Sequence, residues 1–169
     1  MPFEIALSTP ENLGPVEHDP IEPWEGDLQV FAIEVCEPLD DAGVRFSAGG
    51  FGEEHWRVDV QFDLSSIIPQ LPDFLEGLRN GAESELDFCE QGTQRVVTAH
   101  PTGESVTLSC RPYFTAWKPD PEVEKADRTD FTAMVEKFTA DLGNAIAAVL
   151  PELAELEPVI SWRALRPGQ

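Results

Sequence analysis

Acidic side chains recur at strand-like spacing in two parts of the chain. Asp59 and Asp63 are four residues apart, and Glu83, Glu85 and Asp87 alternate with other residue types. In an extended strand, side chains two residues apart lie on the same face at a spacing of about 6.6 Å. Each set therefore predicts a row of carboxylates on one sheet face. Such a row attracts a cationic partner and can imitate a track of phosphates.

The N-terminal segment is a second source of negative charge. Six acids lie between residues 11 and 27, and no lysine or arginine accompanies them. Trp24 in this segment and Trp117 further along stand among polar residues and prolines. Each tryptophan either fixes its own loop to the body or serves as an interface anchor. The candidate partner-binding residues are Glu22, Trp24, Glu25, Asp27, Asp59, Asp63, Glu83, Glu85, Asp87 and Trp117.

The residue types that bind metals do not converge in this sequence. The best combination is Cys89, His100 and Cys110. If the hairpin turns centre on Gln91-Gly92 and on 102–103, the two cysteines lie about 10 Å apart on opposite faces, and His100 lies about 16 Å away. A metal ion needs ligands grouped around one point. We therefore predict no metal site and no cofactor.

Motifs for nucleophilic catalysis and phosphate binding are also missing. The chain lacks G-x-S-x-G and H-E-x-x-H, and its glycine-rich stretch GGFGEEH at 49–55 contains no lysine and opens no helix. That stretch predicts a turn between strands. The sequence favours a protein that is not an enzyme. An enzyme would instead need a convergent polar cluster with a buried acid or His55.

The net charge narrows the classes of partner. The chain carries 32 acids against 11 lysines and arginines, which gives a formal charge of −21. This charge opposes binding to nucleic acid and to anionic membranes, since both require positively charged side chains. A basic protein is the expected partner. The alternative is that the acidity serves solubility or life in high salt, and the scarcity of lysine suits that alternative.

Length and cysteine content are typical of a single intracellular domain. A chain of 169 residues is long enough to bury a core without cross-links. Its three cysteines are few and cannot all pair, so they do not predict a disulfide framework. The acidic N-terminus lacks the basic region of a signal peptide. A cytoplasmic protein is expected.

The first third of the chain predicts an arm followed by three strands. Residues 1–27 have four prolines after Pro2 and no sustained period, which predicts an extended acidic arm that begins with a short edge strand. Strands are predicted at 28–36, 44–52 and 55–63. In the last of these strands apolar and polar residues alternate, so its apolar residues, from Trp56 to Phe62, predict a buried face. Its solvent-facing residues are expected to be Arg57, Asp59, Gln61 and Asp63.

Two helices and a further set of strands follow. Helical spacing of apolar residues predicts a helix that begins near Pro69 and ends at Gly81. Strands are then predicted at 85–90, 93–100 and 104–114, joined as hairpins, with a polar linker at 117–127. An apolar stripe from Phe131 to Val149 predicts a long helix capped by Asp127 or Thr129. A turn of helix and a short strand at 158–162 complete the tail.

The predicted element order is β-β-β-α-β-β-β-α. We expect residues 28–169 to form a single α+β domain whose largely antiparallel sheet packs against the long amphipathic C-terminal helix. From LQVFAIEV through DFLEGLRNG, ELDFCEQG and VTLSCRP to that helix, the chain resembles small acidic proteins of high-GC actinobacteria. Some of these have the make-up of immunity proteins, which bind and block a partner toxin. The resemblance covers residues 28 to 150 and assigns no functional residue.

The function expected is therefore that of a non-enzymatic binding protein for a basic protein, in the manner of an immunity or inhibitor protein for a bacterial toxin. Two other classes fit the same sequence. A secretion-chaperone-like or small-ligand-binding domain would have a sizeable apolar pocket between sheet and helix. An enzyme would have the buried acid named above.

Overall fold

The computed structural model describes residues 2–90, 92–114 and 116–169. The predicted class is confirmed: the protein is α+β with antiparallel sheets and a long helix against them. A four-stranded sheet has the order β3-β4-β5-β6, and a separate two-stranded sheet pairs β1 with β2. The strands are β1 Glu4–Ser8, β2 Arg45–Gly49, β3 Ser84–Phe88, β4 Arg95–Thr102, β5 Ser105–Pro112 and β6 Val123–Asp127. The helices are α1 Leu28–Asp41, α2 Ser65–Ile67, α3 Leu71–Asn80, α4 Arg128–Val149 and α5 Val159–Arg163.

The predicted strand at 28–36 is wrong, because this segment is the first two and a half turns of α1. Asp27 caps the helix by accepting hydrogen bonds from the backbone N–H groups of Gln29 and Val30. The buried residues fall at helical rather than alternating spacing. They are Phe31, Ala32, Val35, Cys36, Pro38 and Leu39.

The predicted strand at 55–63 is also wrong. Residues Val60–Leu64 form a π-helical turn, and the Asp59 side chain caps it by accepting from the backbone N–H groups of Phe62 and Asp63. Trp56 is buried as expected, but the Phe62 side chain is 59% exposed and Asp63 is 3% exposed, the reverse of the predicted pattern. The polar face expected from Arg57 to Asp63 is therefore not part of a sheet.

The N-terminal edge strand and the glycine-rich turn are confirmed. β1 pairs antiparallel with β2, with Ile5 opposite Ala48, and Ile5 is buried. Gly50 and Glu53 form an isolated bridge that closes the turn. Residues 9–27 contain no helix or strand.

The central helix and hairpins agree with the prediction. α3 ends at Gly81, which has φ +71° and fills the left-handed position that favours glycine. β3, β4 and β5 pair in sequence, and Thr102 lies opposite Ser105 across a two-residue turn. The other predicted turn residue, Gln91, lies outside the described residues.

Two elements near the C-terminus differ from expectation. The predicted linker at 117–127 contains β6, which adds a fourth strand to the sheet by pairing Leu108 with Glu124. The predicted strand at 158–162 lies in α5, where Val159 and Trp162 are buried three residues apart, as on one side of a helix. Each segment is too short for its residue pattern to distinguish a strand from a loop or a helix.

Helix α4 is the predicted long helix, capped by Asp127, and it packs against β1, β5, β6 and α3. The core between these elements joins both sheets and α1. Within it, the buried Glu124 carboxylate accepts from the backbone N–H of Phe3 at 2.5 Å and of Phe51 at 2.6 Å. Glu124 thus ties the N-terminal strand to the sheet. No helix in the described part of the chain is long and apolar enough to cross a membrane.

Candidate partner-binding surface

Six carboxylates line a cleft between the N-terminal segment and α1, here called the arm cleft. It has a volume of about 800 Å³. Among the residues that the structure describes, no lysine or arginine lines it. Its acids are Glu17, Asp19, Glu22, Glu34, Glu37 and Asp41, and its other lining residues are His18, Pro20, Ile21, Ile33 and Pro38.

Helix geometry explains one wall of the arm cleft. Ile33, Glu37 and Asp41 are spaced four residues apart on α1, so they lie one above the other on one helix face, and Glu34 stands beside them. The Ile33 side chain is 67% exposed. The wall therefore offers an apolar side chain among three carboxylates.

Three contacts hold the opposite wall in place. The backbone N–H of Glu22 donates to Glu34 Oε2 at 2.9 Å, which joins the segment directly to α1. His18 Nε2 lies 2.9 Å from Glu152 Oε1 near the C-terminus. The Trp24 ring packs edge-on against Phe31, with 5.0 Å between ring centroids. The acidic arm thus lies against the body, and Trp24 fixes it there.

A second cleft surrounds Asp63 and is here called the Asp63 cleft. It has a volume of about 610 Å³, and its lining residues are Arg57, Val58, Asp59, Phe62, Asp63, Glu90 and Gly92. Asp63 Oδ2 accepts from the backbone N–H of Asp59 at 2.9 Å. Asp63 Oδ1 is buried and accepts no hydrogen bond from the described residues.

Burial sets the charge state of Asp63. Loss of solvent, together with the neighbouring carboxylates of Asp59 and Glu90, raises the pKa of its carboxyl to about 6. The hydrogen bond from Asp59 and the nearby Thr93 hydroxyl act in the opposite direction. The enzyme alternative predicted a buried acid in a polar cluster, and Asp63 has these properties. However, the described residues that line the cleft include no serine, cysteine or histidine.

Glu83 and the acids of β3 contact other side chains of the protein. Glu83 Oε2 lies 2.5 Å from His100 Nδ1, and Thr98 donates to Glu85 at 3.1 Å. The Tyr113 hydroxyl donates to Asp87 at 2.6 Å, and this hydrogen bond raises the pKa of Tyr113 to about 12. Glu85 and Asp87 share the outer face of the sheet, as predicted, but each already has a partner within the chain.

Trp117 also packs within the chain. Its ring covers the Arg95 guanidinium, whose Cζ lies 3.5 Å from the ring centroid, and Trp56 lies on the same guanidinium at 4.6 Å. Glu53 completes the group with a carboxylate 2.8 Å from Arg95 Nη2. A buried cation thus lies between two aromatic rings and a carboxylate at the junction of β4 with the loop at 117.

The structure thus distributes the predicted site residues over three surfaces. Glu22 lies in the arm cleft, and Asp59 and Asp63 lie in the Asp63 cleft. Glu25, three residues after Glu22, is exposed, and Asp27 serves as the cap of α1. Sequence reasoning missed the acids of α1, which are Glu34, Glu37 and Asp41, because the helix was not recognised. The arm acids Glu17 and Asp19 belonged to the expected negative segment but not to the candidate residues.

The described residues contain no group of three or more histidines, cysteines, aspartates or glutamates placed to hold a metal ion. Cys89, which follows β3, is exposed, and Cys110 in β5 is buried. Burial raises the pKa of Cys110 to about 12 and that of Cys36 well above its usual range. Both buried thiols are therefore protonated at neutral pH.

Comparison of the chain with protein-family models, with curated proteins and with solved structures finds no match.

Proposed function

We propose that this protein binds a basic protein and that the arm cleft is the central part of its binding surface. The observation that carries the proposal is the lining of the arm cleft, whose described residues include six carboxylates and no lysine or arginine. Such a cleft concentrates negative potential because the surrounding protein has a low dielectric constant. A positively charged partner is attracted over several ångströms and then held by charge-assisted hydrogen bonds.

The size and lining of the arm cleft favour a segment of a protein over a small ion. Its volume of about 800 Å³ accommodates several side chains. The exposed Ile33 and the neighbouring prolines supply apolar contacts between the carboxylates. An amphipathic basic segment of the partner, with arginine or lysine beside apolar residues, matches this pattern.

We further propose that the protein is a cytoplasmic immunity or inhibitor protein and that its partner is a basic, nuclease-like bacterial toxin. A toxin that acts on nucleic acid needs a positively charged surface to hold phosphate. An acidic inhibitor can cover that surface and prevent substrate binding. The net charge of −21 and the sequence resemblance support this assignment.

The proposal is tested by capture of partners on the tagged protein from its native host. Capture is carried out at about 50 mM and about 500 mM salt, since surface charge pairing is screened over this range. We expect one basic protein in stoichiometric amount, held more weakly at high salt, and mass spectrometry identifies it. Purified partner must then lose its activity when the protein is added. Absence of an enriched basic protein at both salt concentrations would refute the proposal.

The small-ligand alternative has less support. It requires a mainly apolar cavity, whereas both clefts described above are lined by several charged side chains.

A further inference from the structure

We infer that His18 is a proton-controlled anchor, which holds residues 17–20 of the arm against the body and so sets how many carboxylates line the arm cleft. This inference rests on the proposed function and adds to it, because it assigns a means of regulation to the same cleft. Three observations support it. They are the two acceptors at the His18 ring, the position of His18 in its segment, and the negative charge on both sides of that segment.

The contacts of the His18 ring are the first observation. Its Nδ1 lies 2.6 Å from the backbone carbonyl oxygen of Asp19, and its Nε2 lies 2.9 Å from Glu152 Oε1. A carbonyl oxygen and an ionised carboxylate only accept hydrogen bonds, so both ring nitrogens must donate. A neutral imidazole has a single N–H, whereas the imidazolium has two. Both contacts are therefore hydrogen bonds only when the ring is protonated.

The position of His18 in its segment is the second observation. Its neighbours Glu17 and Asp19 are exposed, whereas the His18 side chain is only 19% exposed. Beyond them, Val16 and Ile21 pack against the core. In the described part of the chain, no backbone hydrogen bond joins this segment to the body. The segment is thus held by packing at its ends and by one histidine between them.

The charge around His18 is the third observation. In the described lining of the arm cleft, the charged groups other than His18 are all carboxylates, and a further carboxylate pairs with the ring. They are Glu17, Asp19 and Glu22 in the arm, Glu34, Glu37 and Asp41 on α1, and Glu152 after α4. An imidazolium offsets the repulsion between the acidic arm and the acidic helix. A neutral ring loses one hydrogen bond and leaves that repulsion in place, so residues 17–20 should then detach.

Detachment would change the charge of the arm cleft. Glu17 and Asp19 move with His18, which leaves Glu22, Glu34, Glu37 and Asp41 in the lining. The attached segment brings two carboxylates and one imidazolium, so it makes the cleft more negative even though the ring is charged. A basic partner is attracted by that potential. Its binding should therefore be tightest when His18 is protonated.

The test follows the order of the segment in the full-length protein without a partner. NMR order parameters of the Cα–H bonds are measured by carbon-13 relaxation, because these hydrogens do not exchange with water. The two conditions are about pH 5.5 and about pH 8.0, where an ordinary histidine is mainly charged and mainly neutral. For Glu17, His18 and Asp19 we expect values near about 0.85 at the lower pH and below about 0.6 at the higher pH.

Three variants show whether His18 causes the response. His18→Gln does not titrate, so the difference between the two pH values should disappear. His55→Gln removes an exposed histidine outside the arm, and Asp63→Asn removes a carboxyl whose pKa is raised to about 6, chiefly by burial. Both of these controls should keep the wild-type response. Equal order at both pH values in wild type, or a response that survives in His18→Gln, would overturn the inference.

The outcome is separable from that of the proposed function. If the segment responds to pH through His18 but no basic protein is captured from the host, the proposed function fails and His18 remains a proton-controlled anchor. If a basic partner is captured, its affinity should fall between the lower and the higher pH by a larger factor for wild type than for His18→Gln. Equal factors would mean that His18 does not regulate the cleft, while the proposed function stands.

Discussion

Burial at a single residue governs the charge of the Asp63 cleft. Asp63 loses most of its contact with water, and its pKa rises to about 6 from the usual value of about 3.9. The folded protein therefore keeps the Asp63 proton up to about pH 6, while the unfolded chain releases it near about pH 4. Consequently this residue lowers the free energy of unfolding as the pH rises through that window.

Replacement of Asp63 by asparagine should stabilise the protein at neutral pH. The amide keeps an oxygen for the Asp59 N–H and has no charge to desolvate. We expect Asp63→Asn to be more stable by about 1–3 kcal/mol at about pH 7.5, and the advantage to shrink by about 1 kcal/mol at about pH 5. Urea unfolding at the two pH values measures both quantities.

Glu76→Gln, at an exposed position on α3, is the control and should show no such pH-dependent difference from wild type. The account holds that burial of the ionised Asp63 carboxylate destabilises the folded protein. An Asp63→Asn protein that is less stable than wild type at neutral pH would contradict it.

At the scale of elements, the sequence predicts long and regular segments better than short ones. The stripe from Phe131 to Val149 extends over five turns, so it predicts α4 almost to the residue. Segment 28–36 is short and rich in valine, isoleucine and phenylalanine, which suit a strand equally well. The decisive signal was Asp27, whose side chain caps α1. Once that helix is missed, the acids of the arm cleft have no common face.

The π-helical turn at Val60–Leu64 is an element that a sequence pattern cannot predict. Alternation of apolar and polar residues over 55–63 follows a strand, but Asp59 satisfies two backbone N–H groups and starts a turn instead. This turn buries Asp63 and exposes Phe62. The candidate cleft therefore depends on a local hydrogen-bond arrangement rather than on hydrophobic periodicity.

The edge of β3 depends on one glutamine side chain. Gln70 Nε2 donates to the carbonyl oxygen of Asp87 at 3.0 Å, and Gln70 Oε1 accepts from the N–H of Asp87 at 2.7 Å. Gln70 thus pairs with the strand as a neighbouring strand would, and it protects an edge that could otherwise pair with another molecule.

We expect Gln70→Ala to lower the free energy of unfolding by about 1–3 kcal/mol, because two partly buried backbone groups lose their partner. Hydrogen exchange of the Asp87 amide should accelerate in the same variant. Gln29→Ala, on the exposed side of α1, is the control. An Asp87 amide that exchanges at the wild-type rate would show that Gln70 does not protect the edge.

At the scale of the whole molecule, the net charge of −21 produces self-repulsion that salt should relieve. We expect the melting temperature to rise with potassium chloride up to about 0.5 M and then to level off, because screening is nearly complete at this concentration. Thermal unfolding over a salt series measures the curve. A melting temperature that continues to climb steeply at molar salt would instead favour adaptation to high salt as the reason for the acidity.

The arrangement of this charge, rather than its amount, is the central claim. Two triple variants of equal net charge separate an effect of arrangement from an effect of amount. All six substituted positions are exposed. The arm-cleft variant carries Glu17→Gln, Glu37→Gln and Asp41→Asn. The matched variant carries Glu76→Gln, Glu104→Gln and Glu122→Gln, which lie outside both clefts.

The most direct measurement is the affinity of the captured basic partner for wild type and for both triple variants at about 150 mM salt. If the arm cleft holds the partner, its triple variant should bind at least about tenfold more weakly, since several charge-assisted contacts are lost. The matched variant should stay within about twofold of wild type, because rim and distant charges contribute little. Equal losses in the two variants would contradict the account and would mean that the partner responds to total charge alone.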